Sequence, residues 1–217
     1  MLERFTWIKQ SGYRWSGDGR TVYIDPWGVP DDFEPADAVF ITHAHDDHYD
    51  PDDLARITKG DTVFVAPRDV AAELSGDVAA VGPGDTIDAG GIKGEAVPAY
   101  NIRPERLQMH PKENGWVGYV LELGGNTYYH AGDTDHLPEL ESIGTDVAFV
   151  PVGGTFTCDV DEAARLVKAM TPGLAVPMHY GGYVEGAGTA RDGERFRAEA
   201  APVPVEVLTP VIPFGDE

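Results

Sequence analysis

The chain has 217 residues, enough for one large domain with a substantial core or two small ones, and we expect a single domain over residues 1–217. Its 16 Lys and Arg stand against 37 Asp and Glu, a formal charge of −21, and only five of the 16 are lysines; such a surface repels polyanions, so nucleic acid is not an expected partner. A single cysteine, Cys158, excludes an internal disulfide and a multi-cysteine zinc site, which leaves histidine and carboxylate as metal ligands and Cys158 as a small buried apolar residue.

No apolar run approaches the roughly 18 residues needed to span a bilayer, and the start "MLERFTWIKQSGYRW" lacks the basic and apolar regions of a signal peptide. The expectation is a cytosolic protein without a membrane partner. Acidity of this order also matches proteins from organisms with high internal salt, where screening shortens the range of self-repulsion.

In chain order, "FTWIKQ", "TVYIDP", "DAVFIT", "DTVFVAP" and "DVAAVGPG" read as strands, being alternating or short apolar runs bounded by turn residues. Between the third and fourth, "DPDDLARI" starts a short helix, with Asp50 as N-cap, Pro51 at the first helical position, and Asp52 and Asp53 facing the positive end of the macrodipole. "GWVGYVLELGGNTYYHAGD" reads as a hairpin turning at Gly124, Gly125 and Asn126. "TDVAFVPVGG" is a buried strand. "DVDEAARLVKAM" is a helix with Asp159 and Glu162 spaced as a capping box. "GLAVPMHYGG" is a strand leading into a glycine loop, and the tail carries a charged helix, "TARDGERFRAEA", followed by short strands interrupted by prolines. No repeat or low-complexity tract occurs.

The chemistry concentrates in the histidines. All seven, at 43, 45, 48, 110, 130, 136 and 179, lie in or beside glycine- or aspartate-containing loops that adjoin strands. In "HAHDDH", His43 and His45 share a face of extended chain, while Asp47 and His48 follow as the backbone bends, so the segment offers two ligand pairs to two adjacent cations. Neutral imidazole with carboxylate suits Zn²⁺, and Mn²⁺ or Fe less exclusively. A lone loop histidine is ordinarily a satisfied polar residue; three with Asp47 inside six positions, and Asp133 and His179 at further strand ends, outweigh that reading.

"THAHDDH" resembles the His-x-His-x-Asp-His signature of the metallo-β-lactamase superfamily, and "YIDPW" ahead of it with "YYHAGDTD", "DVAFVPVGGTFT" and "PMHYG" after it occur in the expected order, so the resemblance covers nearly the whole chain. The chain is most similar to small stand-alone cytosolic metal-dependent hydrolases of that superfamily, which look related to ascorbate-6-phosphate lactonases and N-acyl-phosphatidylethanolamine phospholipase D. The resemblance implies an α/β fold, a four-layer αββα sandwich with a two-metal site at the edge of the inner sheets. By position, it implies that His43 and His45 hold one metal, that Asp47, His48 and His179 hold the other, and that Asp133 bridges them. Relatives usually place a further histidine after Pro-Ala and one residue, but "VPAYN" has Asn101 there. We therefore expect His110, in "MHPKENGWVGY", to complete the first metal's shell, with Asn101 or a water as the competing readings.

Of the remaining groups, His130 is expected in the core or behind the ligands. His136 is expected near the mouth as a proton donor, with a surface-loop role as its alternative. Asp135, Thr134 and Asp25 are expected to orient ligating histidines. Thr155 and Thr157 are expected near the mouth or capping the next helix. Tyr180 and Tyr183 are expected to face an oxyanion or to pack as lids.

The implied activity is hydrolysis of a small-molecule ester, lactone or related substrate by a metal-bound hydroxide, with Asp47, Asp133 and His136 as catalytic residues. A phosphodiesterase or nuclease of the same superfamily is the alternative, and a di-iron redox protein is third. The ligands do not specify the bond cleaved, and the oligomeric state is not legible.

Overall fold

The computed structural model describes residues 1–214. Twelve strands form two six-stranded sheets, and each sheet is a continuous stretch of sequence. The first contains β1 (Phe5–Lys9), β2 (Gly12–Gly17), β3 (Arg20–Ile24), β4 (Ala38–Phe40), β5 (Val63–Pro67) and β6 (Asp77–Val81), side by side in that order. β1 to β3 pair antiparallel, and β3 to β6 pair parallel. The second contains β7 (Thr86–Ala89), β8 (Ile92–Pro98), β9 (Val117–Leu123), β10 (Asn126–His130), β11 (Val147–Pro151) and β12 (Leu174–Met178), again side by side in chain order. Here β7 to β10 are antiparallel and β10 to β12 parallel.

Strand alternation explains how the sheets stack. In β4, Phe40 joins the core between the sheets with Tyr13, Val65, Tyr119 and Leu121. Its neighbour Val39 points the other way, into a second core with Ile41, Phe64, Leu54 and Ile57. Leu54 and Ile57 come from α1 (Pro51–Ile57), and Val70 of α2 (Arg68–Ala71) joins the same core. On the far side, Ala163, Leu166 and Val167 of α3 (Val160–Met170) and Phe196 of α4 (Asp192–Glu199) are buried against the second sheet. The layers are helix, sheet, sheet, helix, the expected αββα sandwich.

The helix starts follow the side chains that satisfy their free N–H groups. Asp50 accepts from the N–H groups of Asp52 and Asp53 ahead of α1, and Asp159 and Glu162 close a reciprocal capping box on α3. The β9–β10 hairpin turns on Gly124 and Gly125, both at positive φ (57° and 82°), as a two-residue turn demands.

Three features depart from the sequence reading. β2 and the β7–β8 hairpin lie outside the strands expected from the sequence: β2 alternates buried Tyr13 and Trp15 with Arg14 and Ser16, and β8 exposes Lys93 while burying Ile92, Ala96 and Val97. The expected short strands in the tail are absent among the described residues. Residues 201–214 make only an isolated bridge, Val205 with Ala175. They strap the sandwich instead: Ala175 N–H donates to Pro204 O, while Val211 and Ile212 donate to Trp7 O and Ile8 O of β1. Prolines interrupt the ladder but leave enough donors for such single contacts. No described helix is long and apolar enough to cross a membrane.

Candidate metal centre

The parallel strands β3, β4, β10, β11 and β12 run in one direction, and the loops at their carboxyl ends meet at one edge of the sandwich. There the chain delivers Asp25 after β3, His43 to His48 after β4, Asp133 after β10 and His179 after β12. His110 arrives from the long connection between β8 and β9.

Two groups of donor atoms result, with Asp133 between them. His43, His45 and His110 bring one nitrogen each within 4.8 Å of one another, and so do the donor atoms of Asp47, His48 and His179. Asp133 Oδ2 lies 3.3 Å from His110 Nε2, 3.9 Å from His43 Nε2 and 2.9 Å from His179 Nε2. Its Oδ1 lies 3.3 Å from His48 Nε2. Asp47 Oδ2 is 3.6 Å from His48 Nε2 and 3.5 Å from His179 Nε2. Asp46, between the two motif pairs, is exposed.

The ring orientations follow from hydrogen bonds behind the cluster. Asp25, fully buried, accepts from Thr42 N–H (2.8 Å), from the Thr42 hydroxyl (2.7 Å) and from His48 Nδ1 (2.8 Å). Since the single Thr42 proton goes to Asp25, its oxygen accepts from His43 Nδ1 at 2.9 Å. Asn101 Oδ1 accepts from His110 Nδ1 (2.8 Å) and from His110 N–H (3.1 Å). All three imidazoles therefore carry a proton on Nδ1 and turn Nε2 to the centre, the orientation a cation requires. Asn101 stands behind His110 and is not itself in either ligand group.

The Asn101 amide is fixed in turn. Its Nδ2 donates to Asp135 Oδ1 (2.9 Å) and Phe156 O (3.0 Å). Asp135 also accepts from Ile102 and Arg103 N–H and is ion-paired with buried Arg106. Asp135 thus supports His110 through Asn101 rather than by touching a histidine. Thr134 holds backbone, donating to Tyr100 O, and contacts no imidazole.

Three residues in the site adopt left-handed backbone conformations rare for non-glycine residues: Gln10 (φ 49°), Asp25 (φ 47°) and His179 (φ 56°). Gln10 O accepts from His179 N–H and from Trp7 Nε1, while its Nε2 donates to Asp47 at 3.0 Å. A Cβ on Gly153 would stand 2.3 Å from His179 O, so that position admits only glycine.

The electrostatics suit cations. His43 and His45 are pushed well down and down respectively, first by burial and then by neighbouring imidazoles. Burial opposes protonation of His48 and His179 as well, but Asp133 and Asp47 outweigh it, raising His48 strongly and His179 to about 9. The same pairs hold Asp133 and Asp47 far below the carboxylate range against burial. His48 Nε2, His110 Nε2 and Asp133 Oδ1 are buried without a hydrogen-bond partner, although such atoms ordinarily have one. Unpaired nitrogen and oxygen donors that converge in this way fit a nitrogen-rich, four-coordinate divalent cation such as Zn²⁺.

A cavity of about 150 Å³ opens beside the cluster. His45, Asp47, His110, Asp133 and His179 form its polar wall, and Met109, Phe156 and Val184 its apolar one. His136 does not line it: its Nε2 pairs with Glu141 at 2.8 Å on the surface, which corrects the expectation of a proton donor at the mouth. His130 is buried, donating through Nε2 to Ser11 O (2.9 Å) and accepting from Gly132 N–H, where it braces the turn into Asp133. Tyr183 donates to Ile212 O and Tyr180 packs on Trp7 and Phe214, so neither phenol faces an oxyanion. Thr155 is exposed and donates to Gly186 O; Thr157 is buried.

Sequence reasoning missed Thr42, Gln10, Phe156 and Trp116. Trp116 lies 5.0 Å from the rings of both His43 and His45, its indole N–H donating to Asp69. Thr42 adjoins the histidine motif, where a neighbouring hydroxyl is a readable signal; the others have none.

Comparison with known proteins shows the family to which the chain belongs. Residues 4–179 match the family model described as the beta-lactamase superfamily domain. A UPF0173 metal-dependent hydrolase of Methanopyrus kandleri is 30% identical over 98% of this chain and 98% of that protein. One of Thermoplasma acidophilum is 38% identical over 138 residues, 59% of this chain and 56% of that protein's length. The structure of Igni18, a metallo hydrolase from Ignicoccus hospitalis, superimposes with a TM-score of 0.78 at 25% identity over 95% of this chain and 94% of that one. The chain belongs to the beta-lactamase superfamily and, within it, to the UPF0173 family.

Proposed function

We propose that this protein is a metal-dependent hydrolase in which His43, His45 and His110 would hold one divalent cation and Asp47, His48 and His179 a second, with Asp133 placed between the two groups. The observation that carries the reading is the Asp133 carboxylate, within 3.3 Å of His110 on one side and of both His48 and His179 on the other. Zn²⁺ fits the donors best, with Mn²⁺ and Fe as alternatives. Such cations polarise a carbonyl or phosphoryl oxygen and bring the pKa of water to about 7.

The chain's own residues supply orientation and proton handling. Asp25, Thr42 and Asn101 aim the imidazoles. Asp47 is the carboxylate on the cavity wall that is least buried, and Gln10 Nε2 holds it at 3.0 Å. It is placed to take the proton of an attacking water and pass it to the leaving group. The small cavity favours a small-molecule ester, lactone or related substrate.

The test is metal analysis of the purified protein with an activity screen against lactones, phosphodiesters and thioesters. His43→Ala and Asp133→Ala are expected to lose metal and turnover together, whereas His136→Ala keeps its metal. Less than one transition-metal ion per chain after supplementation would sink the reading. Turnover of phosphodiesters alone would favour the phosphodiesterase alternative.

A further inference from the structure

We propose that the loop from Ile102 to His110 is the substrate-recognition loop of this site, and that the substrate carries an uncharged apolar group beside the bond to be cleaved. The proposal rests on the hydrolase reading above and adds the substrate class to it.

Among the described residues five large hydrophobic side chains are substantially exposed, and three of them, Ile102 (48%), Leu107 (42%) and Met109 (39%), occur together on this loop. Isolated exposed hydrophobics need no explanation, but a group of them on a strongly acidic chain marks a binding surface. The loop is not exposing them through slackness. Arg106, 4% exposed, anchors it through ion pairs with Asp135 and Glu162 and by donating to Gly154 O at 2.6 Å. Asp135 fixes its first residues by accepting from Ile102 N–H (2.7 Å) and Arg103 N–H (2.9 Å). The polar groups hold the loop down while its apolar side chains stay in water.

Met109 connects this surface to the chemistry. It is exposed and also lines the cavity, where Phe156 and Val184 continue the apolar wall. No lysine or arginine lines the cavity. The nearest arginines along the loop, Arg103 and Arg106, are both engaged with Glu162. An anionic group beside the scissile bond would find no lysine or arginine in the lining, whereas an alkyl or acyl group would find three apolar side chains. A cavity of about 150 Å³ has room for a short chain of this kind, and Ile102 and Leu107 stand exposed on the same loop as Met109.

Calorimetric titration of the metal-loaded protein with n-alkyl hydroxamates of two to eight carbons tests the proposal, in parallel with the matching n-alkanamides, which carry the same tails without a chelating head. Affinity is expected to rise about fourfold per methylene in both series until the apolar wall is covered. Met109→Ser and the pair Ile102→Ser with Leu107→Ser, at exposed positions where folding is not at stake, are expected to flatten that rise. Equal affinity along both series, or the same rise in these variants, overturns the proposal. A change only in oligomeric state, seen by sedimentation with the length dependence kept, also overturns it, because the face would then join copies of the chain. Loss of the affinity gap between hydroxamate and amide, with the length dependence intact, would instead overturn the metal reading and leave the loop assignment standing.

Discussion

His110 takes its direction from Asn101, a buried neutral amide that follows Ala99 and Tyr100 at the end of β8. The amide accepts from both the ring and the backbone of His110, and its own orientation is fixed by Asp135 and Phe156. Asn101→Ala removes that acceptor and frees the ring to turn. Support behind a metal-binding histidine is ordinarily worth about 10- to 100-fold in metal affinity. We expect a loss of that order from the first group, measured by competition with a chromogenic chelator. Asn101→Asp, which keeps an acceptor at the same place, should restore much of it; equal affinity in wild type and Asn101→Ala would show that the ring is held by packing against Trp116 alone.

The start of α3 serves the site as well as the helix. Glu162 closes the capping box with Asp159 and also receives Arg103 and Arg106, which tie down the loop that carries His110. Glu162→Ala leaves Arg106 buried beside a single carboxylate and should cost about 3 kcal/mol, read by denaturant unfolding. The effect is also pH-dependent. Burial alone would raise the Glu162 carboxyl, but the hydrogen bonds from Arg106, the cap backbone and Arg103, with the Arg106 charge, together outweigh it and hold the group below its ordinary value of 4.5. A depressed folded-state pKa contributes stability that is complete above the unfolded value and lost as pH falls through the folded one. Between about pH 5 and pH 3 the melting temperature of Glu162→Gln should therefore fall less steeply than that of the wild type. Parallel profiles would remove Glu162 from the acid response.

Over the whole molecule, ions are expected to act on stability in two places. Within the site, buried ring nitrogens and Asp133 lack partners, so a cation that binds only the folded chain stabilises it by mass action, about 4 kcal/mol at a thousandfold excess over Kd. For a chain of this size that corresponds to a fall of about 10 °C in Tm on chelation, reversed by adding metal back. An unchanged Tm in calorimetry after complete chelation would contradict it. On the surface, 37 acidic residues against 16 basic ones make self-repulsion a whole-molecule cost. Raising salt from about 0.1 M to 1 M shortens the screening length from about 10 Å to 3 Å, and Tm should rise with it. A Tm that is flat or falls over that range would show that the charges are too dispersed to matter.

Much of the fold and most of the site residues were legible in the sequence because they are local. Strand periodicity, the Asp50 and Asp159 caps and the "HAHDDH" spacing each depend on residues a few positions apart, and local geometry acts on them directly. β2 and the β7–β8 hairpin escaped because their burial is decided by the partner sheet. The same holds for function. The sequence by itself determined the types of donor and their order along the chain. Only the tertiary structure decided that Asn101 stands behind His110, that Gln10 reaches Asp47 across 37 residues, and that His136 turns to Glu141 away from the cavity. These contacts join loops distant in the chain, and their geometry is set where two sheets meet, which no short stretch of sequence encodes.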